Sequence, residues 1–160
     1  MSEILFKRFT PDAQPPYKKY PTDAGFDLSA VESGEILAGQ VAVPIRTGIG
    51  IQIPPGHVGL LRDRSSLALK GLTVSGGVID AGFSGEILVL LNNMGKDVYS
   101  YVCGDRISQV LILPCEVFNF VETDNFEETL RNSKGFGSTG RSSIPMLLFC
   151  FINLCSWSLV

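Results

Sequence analysis

The chain has 160 residues, enough for one domain with a substantial core, and is 45% hydrophobic and 18% charged with a net charge of −3. Its 13 Lys and Arg are scattered, with no basic run longer than Lys18-Lys19, which argues against an electrostatic track for nucleic acid. The four cysteines (Cys103, Cys115, Cys150, Cys155) form no C-x-x-C pair, and the single His57 completes no zinc set, so free thiols in a reducing compartment are expected.

The first residues, MSEILFKRFTPDAQ, hold a short apolar patch broken by charges, unlike a secretory leader, and the protein is expected to be intracellular. Strands are expected over EILFKRF (3–9), QVAVPI (40–45), GIGIQI (48–53), HVGLLR (57–62), EILVLL (86–91), DVYSYV (97–102), RISQVLIL (106–113) and EVFNFV (116–121). Turn chemistry separates them at Pro54-Pro55-Gly56, Gly76-Gly77 and NNMGK (92–96). No helical periodicity exceeds about two turns, so an all-β sandwich or barrel is predicted. Segment 10–22, with four prolines, reads as an extended surface arm.

Several stretches carry chemistry. TDAGFDLSA (22–30) offers Asp27, which suits either a hydrated Mg²⁺ or a turn or cap. DRSSLALKG (63–71) puts Arg64 beside Ser65 and Ser66 at a strand end, which suits a phosphate; the alternative is an Asp63–Arg64 surface pair. In GGVIDAGFSGE (76–86), Val78 and Ile79 look buried, and Asp80 follows in a tight turn, placed to orient a water as general base; a plain turn Asp is the alternative. Phe83 would wall a sugar or base. GDRISQVLI (104–112) offers Gln109 as an amide donor, with Asp105-Arg106 expected as a structural ion pair.

GFGSTG (135–140) matches G-x-G-x-x-G, yet polar EETLRNSK precedes it, Pro145 follows closely, and the chain ends about 20 residues later. A dinucleotide fold therefore fails, as does a P-loop. Two readings remain: a plain mobile C-terminal loop, which the segment alone favours, and a loop that closes over an anion and a base with Arg131, Phe136, Ser138 and Thr139 as its contacts. The tail 141–160 contains PMLLFCFINLCSWSLV, 16 residues from Pro145, shorter than the roughly 20 of a spanning helix. Packing on a partner or a divergent end is favoured over a membrane anchor.

Five clusters in this order, DAGFDLSA, RSSLALKG, GGVIDAGFSGE, GDRISQVLI and RNSKGFGSTG, resemble the five motifs of the homotrimeric dUTPase family and span residues 23 to 140. The resemblance implies a jelly-roll-like β-sandwich or distorted barrel, a homotrimer with shared active sites, and Mg²⁺-assisted hydrolysis of dUTP to dUMP and pyrophosphate. That activity would keep uracil out of DNA and supply dUMP for thymidylate synthesis. By motif, Asp80 would activate the water that attacks the α-phosphorus, and Asp27 would hold Mg²⁺ through water. Arg64, Ser65, Ser66 and Gln109 would contact phosphates. The backbone of Gly76, Gly77, Val78 and Ile79 would read uracil, and Phe83 would exclude a ribose 2′-hydroxyl. The arm would bring Arg131, Ser138 and Thr139 to the γ-phosphate and Phe136 with Gly137 to the uracil. The implied division is a β domain (1–130), an arm (131–140) and an atypical apolar tail (141–160).

This chain departs from the family pattern at Asp63 (usually proline), Ser66 (commonly glycine), Phe83 (usually tyrosine) and Asn132 (commonly glycine). An acid at position 63, so near the phosphates, would weaken their binding. Two other readings were weighed: a catalytically silent binding or signalling protein of this fold, and a dCTP deaminase-like enzyme. The second would need a glutamate at the position aligned with Leu90.

Overall fold

The computed structural model describes residues 3–129, 131–133 and 135. The chain divides into two units, Met1–Phe118 and Asn119–Val160. The first holds eleven strands and one short helix among its described residues. In chain order these are β1 (Phe6–Arg8), β2 (Phe26–Ser29), β3 (Gly34–Ile36), β4 (Val43–Arg46), β5 (Ile49–Ile51), β6 (His57–Arg62), α1 (Ser65–Ala68), β7 (Leu72–Ser75), β8 (Val78–Ile79), β9 (Leu88–Asn93), β10 (Tyr99–Tyr101) and β11 (Arg106–Pro114).

Every pairing is antiparallel. The largest sheet runs β2-β11-β6-β8; a second runs β4-β9-β7; β1-β5 and β10-β3 are two-stranded. Alternation explains the long strands: in β9, Val89, Leu91 and Asn93 point inward while Leu88 is exposed. The core is aliphatic, with Leu28, Ile36, Ile45, Ile49, Ile87, Val89 and Ile107 all at or below 1% exposure. Burying a side chain of this size is worth about 1.5–3 kcal/mol.

Seven expected strands are present, HVGLLR with the expected ends and the other six with shifted ones. The eighth, 116–121, is absent: β11 ends at Pro114, and Val117, Phe118, Phe120 and Val121 all stand exposed. Their strand-like composition records a fit to a pleated, half-buried surface, and among the described residues no strand pairs with them. The expected surface arm, 10–22, is mostly exposed but is pinned at two points. Ala13 is in the core at 1% exposure, and Tyr17 bridges Asp27 through reciprocal backbone hydrogen bonds of 3.1 and 2.7 Å. In the second unit, Thr129 and Asn132 close a turn by exchanging amide-to-side-chain bonds of 3.1 and 3.0 Å, with Asn132 at φ +44. Asparagine tolerates that left-handed conformation better than most residues.

Asn93 is the buried polar joint between β9 and β3. At 2% exposure its Nδ2 donates to the carbonyls of Ile36 (2.9 Å) and Asp97 (2.8 Å), and its Oδ1 accepts the Gly95 amide at 3.0 Å. Asn93→Ala strands those backbone groups and is expected to lower stability by about 3 kcal/mol, read as a lower urea midpoint at unchanged slope.

Candidate active site

Asp27 lies on β2 directly opposite Gln109 of β11, which in turn lies opposite Arg62 of β6. Its carboxylate is shared by two guanidiniums: Oδ1 accepts from Nε of Arg64 at 3.0 Å, and Oδ2 from Nη1 of Arg106 at 3.1 Å. Arg64 also donates through Nη1 to the Arg106 carbonyl at 3.0 Å. Arg106 further lies 5.9 Å from the Tyr17 ring centre. Two cations on one anion leave the cluster positive, suited to a polyphosphate.

A β-bulge puts Arg106 there. Residues three apart on an unbroken strand face opposite sides, yet Arg106 reaches Asp27, the residue facing Gln109. The register shifts between Arg106 and Ser108, and Ile107 and Ser108 are buried consecutively. Arg106 is thus a site residue that sequence reasoning missed, because a plain strand over 106–113 places it on the other face.

The expected Asp105–Arg106 pair is corrected, and the alternative Asp63–Arg64 pair is not the one Arg64 makes. Arg64 pairs with Asp27 rather than Asp63, whose Oδ1 instead accepts the Val74 amide at 2.5 Å. Arg106 also pairs with Asp27, while Asp105 Oδ2 accepts the Val102 amide at 2.9 Å. Backbone amides occupy both acids, a local one for Asp105 and one from β7, eleven residues on, for Asp63, while the arginines go to Asp27. Ser65 and Ser66 open α1 and are exposed; the Arg64 carbonyl accepts the Leu67 and Ala68 amides at 2.9 Å each, and buried Leu67 anchors the turn. Gln109 spends one of its two amide hydrogens on the Asp63 carbonyl, at 2.8 Å.

The second group lies on the turn that carries the chain from β7, in one sheet, to β8, in another, and on the loop after β8. Gly76, at φ +57, makes the left-handed step of the turn. Gly77 presses against β6: its carbonyl accepts the Leu61 amide at 2.7 Å, and a Cβ there would sit 2.7 Å from the Leu61 oxygen. Ile79 is buried as expected, but Val78 is 61% exposed, because β8 pairs on one side only and alternate residues face outward. Asp80 is exposed, and its carbonyl accepts the Phe83 amide at 3.0 Å, closing a turn over Ala81-Gly82. A cavity of about 280 Å³ is bounded by Val78, Ile79, Asp80, Phe83, Ile87 and Leu88.

Glu86 ties down the far end of this loop. It pairs with Arg46 at 3.1 Å and accepts the Gly48 amide at 2.8 Å, and its hydrogen bond and charge raise the Arg46 guanidinium above its ordinary value. Leu90 sits behind the turn, its Cδ1 3.4 Å from where a Gly76 Cβ would be. A leucine there cannot carry a proton.

Arg131 is exposed in the second unit; Phe136, Gly137, Ser138 and Thr139 lie outside the described residues. Among the described residues no three His, Cys, Asp or Glu side chains converge as a metal cage. No helix among them is long and apolar enough to cross a membrane.

The dUTPase family model matches residues 12–140. The chain belongs to the dUTPase family. It is 42% identical over 156 residues to the deoxyuridine 5′-triphosphate nucleotidohydrolase of Methylocella silvestris, covering 90% of this chain and 97% of that protein. It is 40% identical over 144 residues to the enzyme of the same name from Nocardia farcinica, covering 88% and 87%. In structure it resembles a mutant of the Staphylococcus bacteriophage 80alpha dUTPase with dUpNHpp, with a TM-score of 0.82 at 26% identity, covering 88% of this chain and 100% of that one. The all-β expectation therefore holds: several antiparallel sheets in the arrangement of dUTPase structures.

The contact between Gly77 and Leu61 sets the β7–β8 turn against β6 of the largest sheet. Gly77→Ala is expected to cost about 1–3 kcal/mol by overpacking against backbone. Hydrogen exchange at the Leu61 amide would rise, while the Asn93 amide, on a different sheet, would stay protected.

Proposed function

We propose that the chain hydrolyses dUTP to dUMP and pyrophosphate as a homotrimer of jelly-roll-like subunits, with each active site shared between subunits. The observation that carries this reading is the separation of two complementary groups on one sheet. Asp27 is on β2 and Asp80 follows β8, the opposite edges of β2-β11-β6-β8. Three inter-strand steps make about 14 Å, and four residues of offset along β6, from Arg62 to Val58, add about 13 Å, some 20 Å in all. A general base acts within about 3 Å of the proton it takes. One chain therefore presents two half-sites facing different neighbours, which a symmetric oligomer would bring together.

In this account the phosphates lie on the positive cluster. Arg64, Ser65, Ser66 and Gln109 bind them from one subunit. The β7–β8 turn and β8 of a second supply the backbone of Gly76, Gly77, Val78 and Ile79 to uracil. A base read by such groups is distinguished from cytosine, whose swapped donor and acceptor would leave buried groups unpaired. The Phe83 ring borders the cavity where deoxyribose would lie. Asp80, exposed at its rim, takes a proton from the water that attacks the α-phosphorus as pyrophosphate leaves. The arm, 131–140, closes the site with Arg131, Ser138 and Thr139 on the γ-phosphate and Phe136 and Gly137 at the base; 141–160 is a separate tail.

The donor set fits a Mg²⁺ that arrives with the triphosphate rather than one resident in the protein. Both Asp27 oxygens are already paired, and the two arginines oppose a bare cation. Each oxygen retains a lone pair for a water of a hydrated ion. The ion supplies charge neutralisation at the phosphate oxygens.

Asp80→Asn is expected to leave the fold intact and reduce pyrophosphate release from dUTP by at least a hundredfold. The assay is run beside dCTP, dTTP and UTP. Release from dUTP alone, lost in the variant, supports the hydrolase and its base; no release from any nucleotide by folded, trimeric wild type would overturn the reading.

A further inference from the structure

Asp63 stands where an acid would oppose phosphate binding, yet its carboxylate does not act as a free charge. It accepts the Val74 amide of β7 at 2.5 Å, and the Asp63 carbonyl accepts the Gln109 side chain of β11 at 2.8 Å. The next residue is Arg64, whose carbonyl starts α1 and whose guanidinium holds Asp27. One residue thus joins β7 and β11 to the turn that carries Arg64, Ser65 and Ser66. The residue is half-buried, and its Oδ1 is turned to the β7 amide. Proline, usual at this position in the family, has no side-chain acceptor for the Val74 amide.

We infer that Asp63 is a positioning residue: it braces the Arg64–Ser66 turn against β7 and holds the Gln109 amide, so that its effect on polyphosphate binding is favourable rather than repulsive. What the brace needs is an acceptor oxygen aimed at Val74. The negative charge is incidental. This inference rests on the phosphate-binding role proposed above for Arg64, Ser65 and Gln109.

The test compares wild type, Asp63→Asn and Asp63→Ala as full-length proteins. Asn keeps the acceptor and removes the charge; Ala removes both. Binding of inorganic tripolyphosphate is measured by calorimetry, and KM and kcat with dUTP and Mg²⁺ on the same samples. Ala is expected to weaken tripolyphosphate binding and raise KM by about tenfold with kcat little changed, while Asn stays within about twofold of wild type. Tighter binding by both variants would overturn the inference in favour of simple repulsion. Unchanged binding and KM in Asp63→Ala, with only a lower melting temperature, would overturn it in favour of a purely structural role. Failure of wild type to bind tripolyphosphate would also overturn it. Wild type that binds tripolyphosphate but leaves dUTP intact would sink the hydrolase reading instead, and the binding comparison would still judge the brace.

Discussion

The carboxylate of Asp27 is the interaction on which the candidate phosphate site depends. It draws together three stretches far apart in sequence: β2, the turn before α1, and the start of β11. Without that anion, two guanidiniums would face each other across a partly covered surface. With it, they are fixed and the surplus charge is one positive unit. A partly buried pair of this kind contributes little net stability, but removing one partner is costly because the rest stays behind. The same arrangement pre-pays the ordering of two long side chains that a phosphate ligand would otherwise have to fix.

The β7–β8 segment leading to Asp80 depends on a different constraint, close backbone approach. Gly77 fits against Leu61 only because it has no Cβ. Glu86 and Arg46 fasten the strand that leaves the loop. Between these anchors, Asp80 and Phe83 remain exposed, as groups awaiting a ligand must be. The two half-sites are therefore built by unlike means, ion pairing at one sheet edge and steric fit at the other. Their distance apart follows from the strand order and register.

Much of this was legible in the sequence. Aliphatic strands such as HVGLLR and RISQVLIL announce themselves by composition and turn punctuation, and the five motifs mark the residues of interest. What stayed hidden was set by partners distant in the chain. The bulge at Ile107 leaves no residue signature, so Arg106 was placed with its neighbour Asp105 rather than with Asp27. Asp63 was read as a charge because its acceptor role is visible only once β7 lies beside it. β2, β3, β7 and β8 are two to four residues long, too short for a period-2 pattern to register. The run at 116–121 has strand composition, but among the described residues no strand pairs with it.

The central claim is that Arg64 and Asp80 of different subunits serve one site, and subunit mixing tests it most directly. Arg64→Ala and Asp80→Asn proteins, each inactive alone, are unfolded together and refolded at equal amounts. In random trimers about a quarter of the sites take an intact Asp80 from one subunit and an intact Arg64 from its neighbour, so about a quarter of wild-type dUTP hydrolysis should return. If both residues served a site from the same chain, no mixture would contain an intact site. Mixed trimers, shown to have formed, that stay inactive would contradict the account.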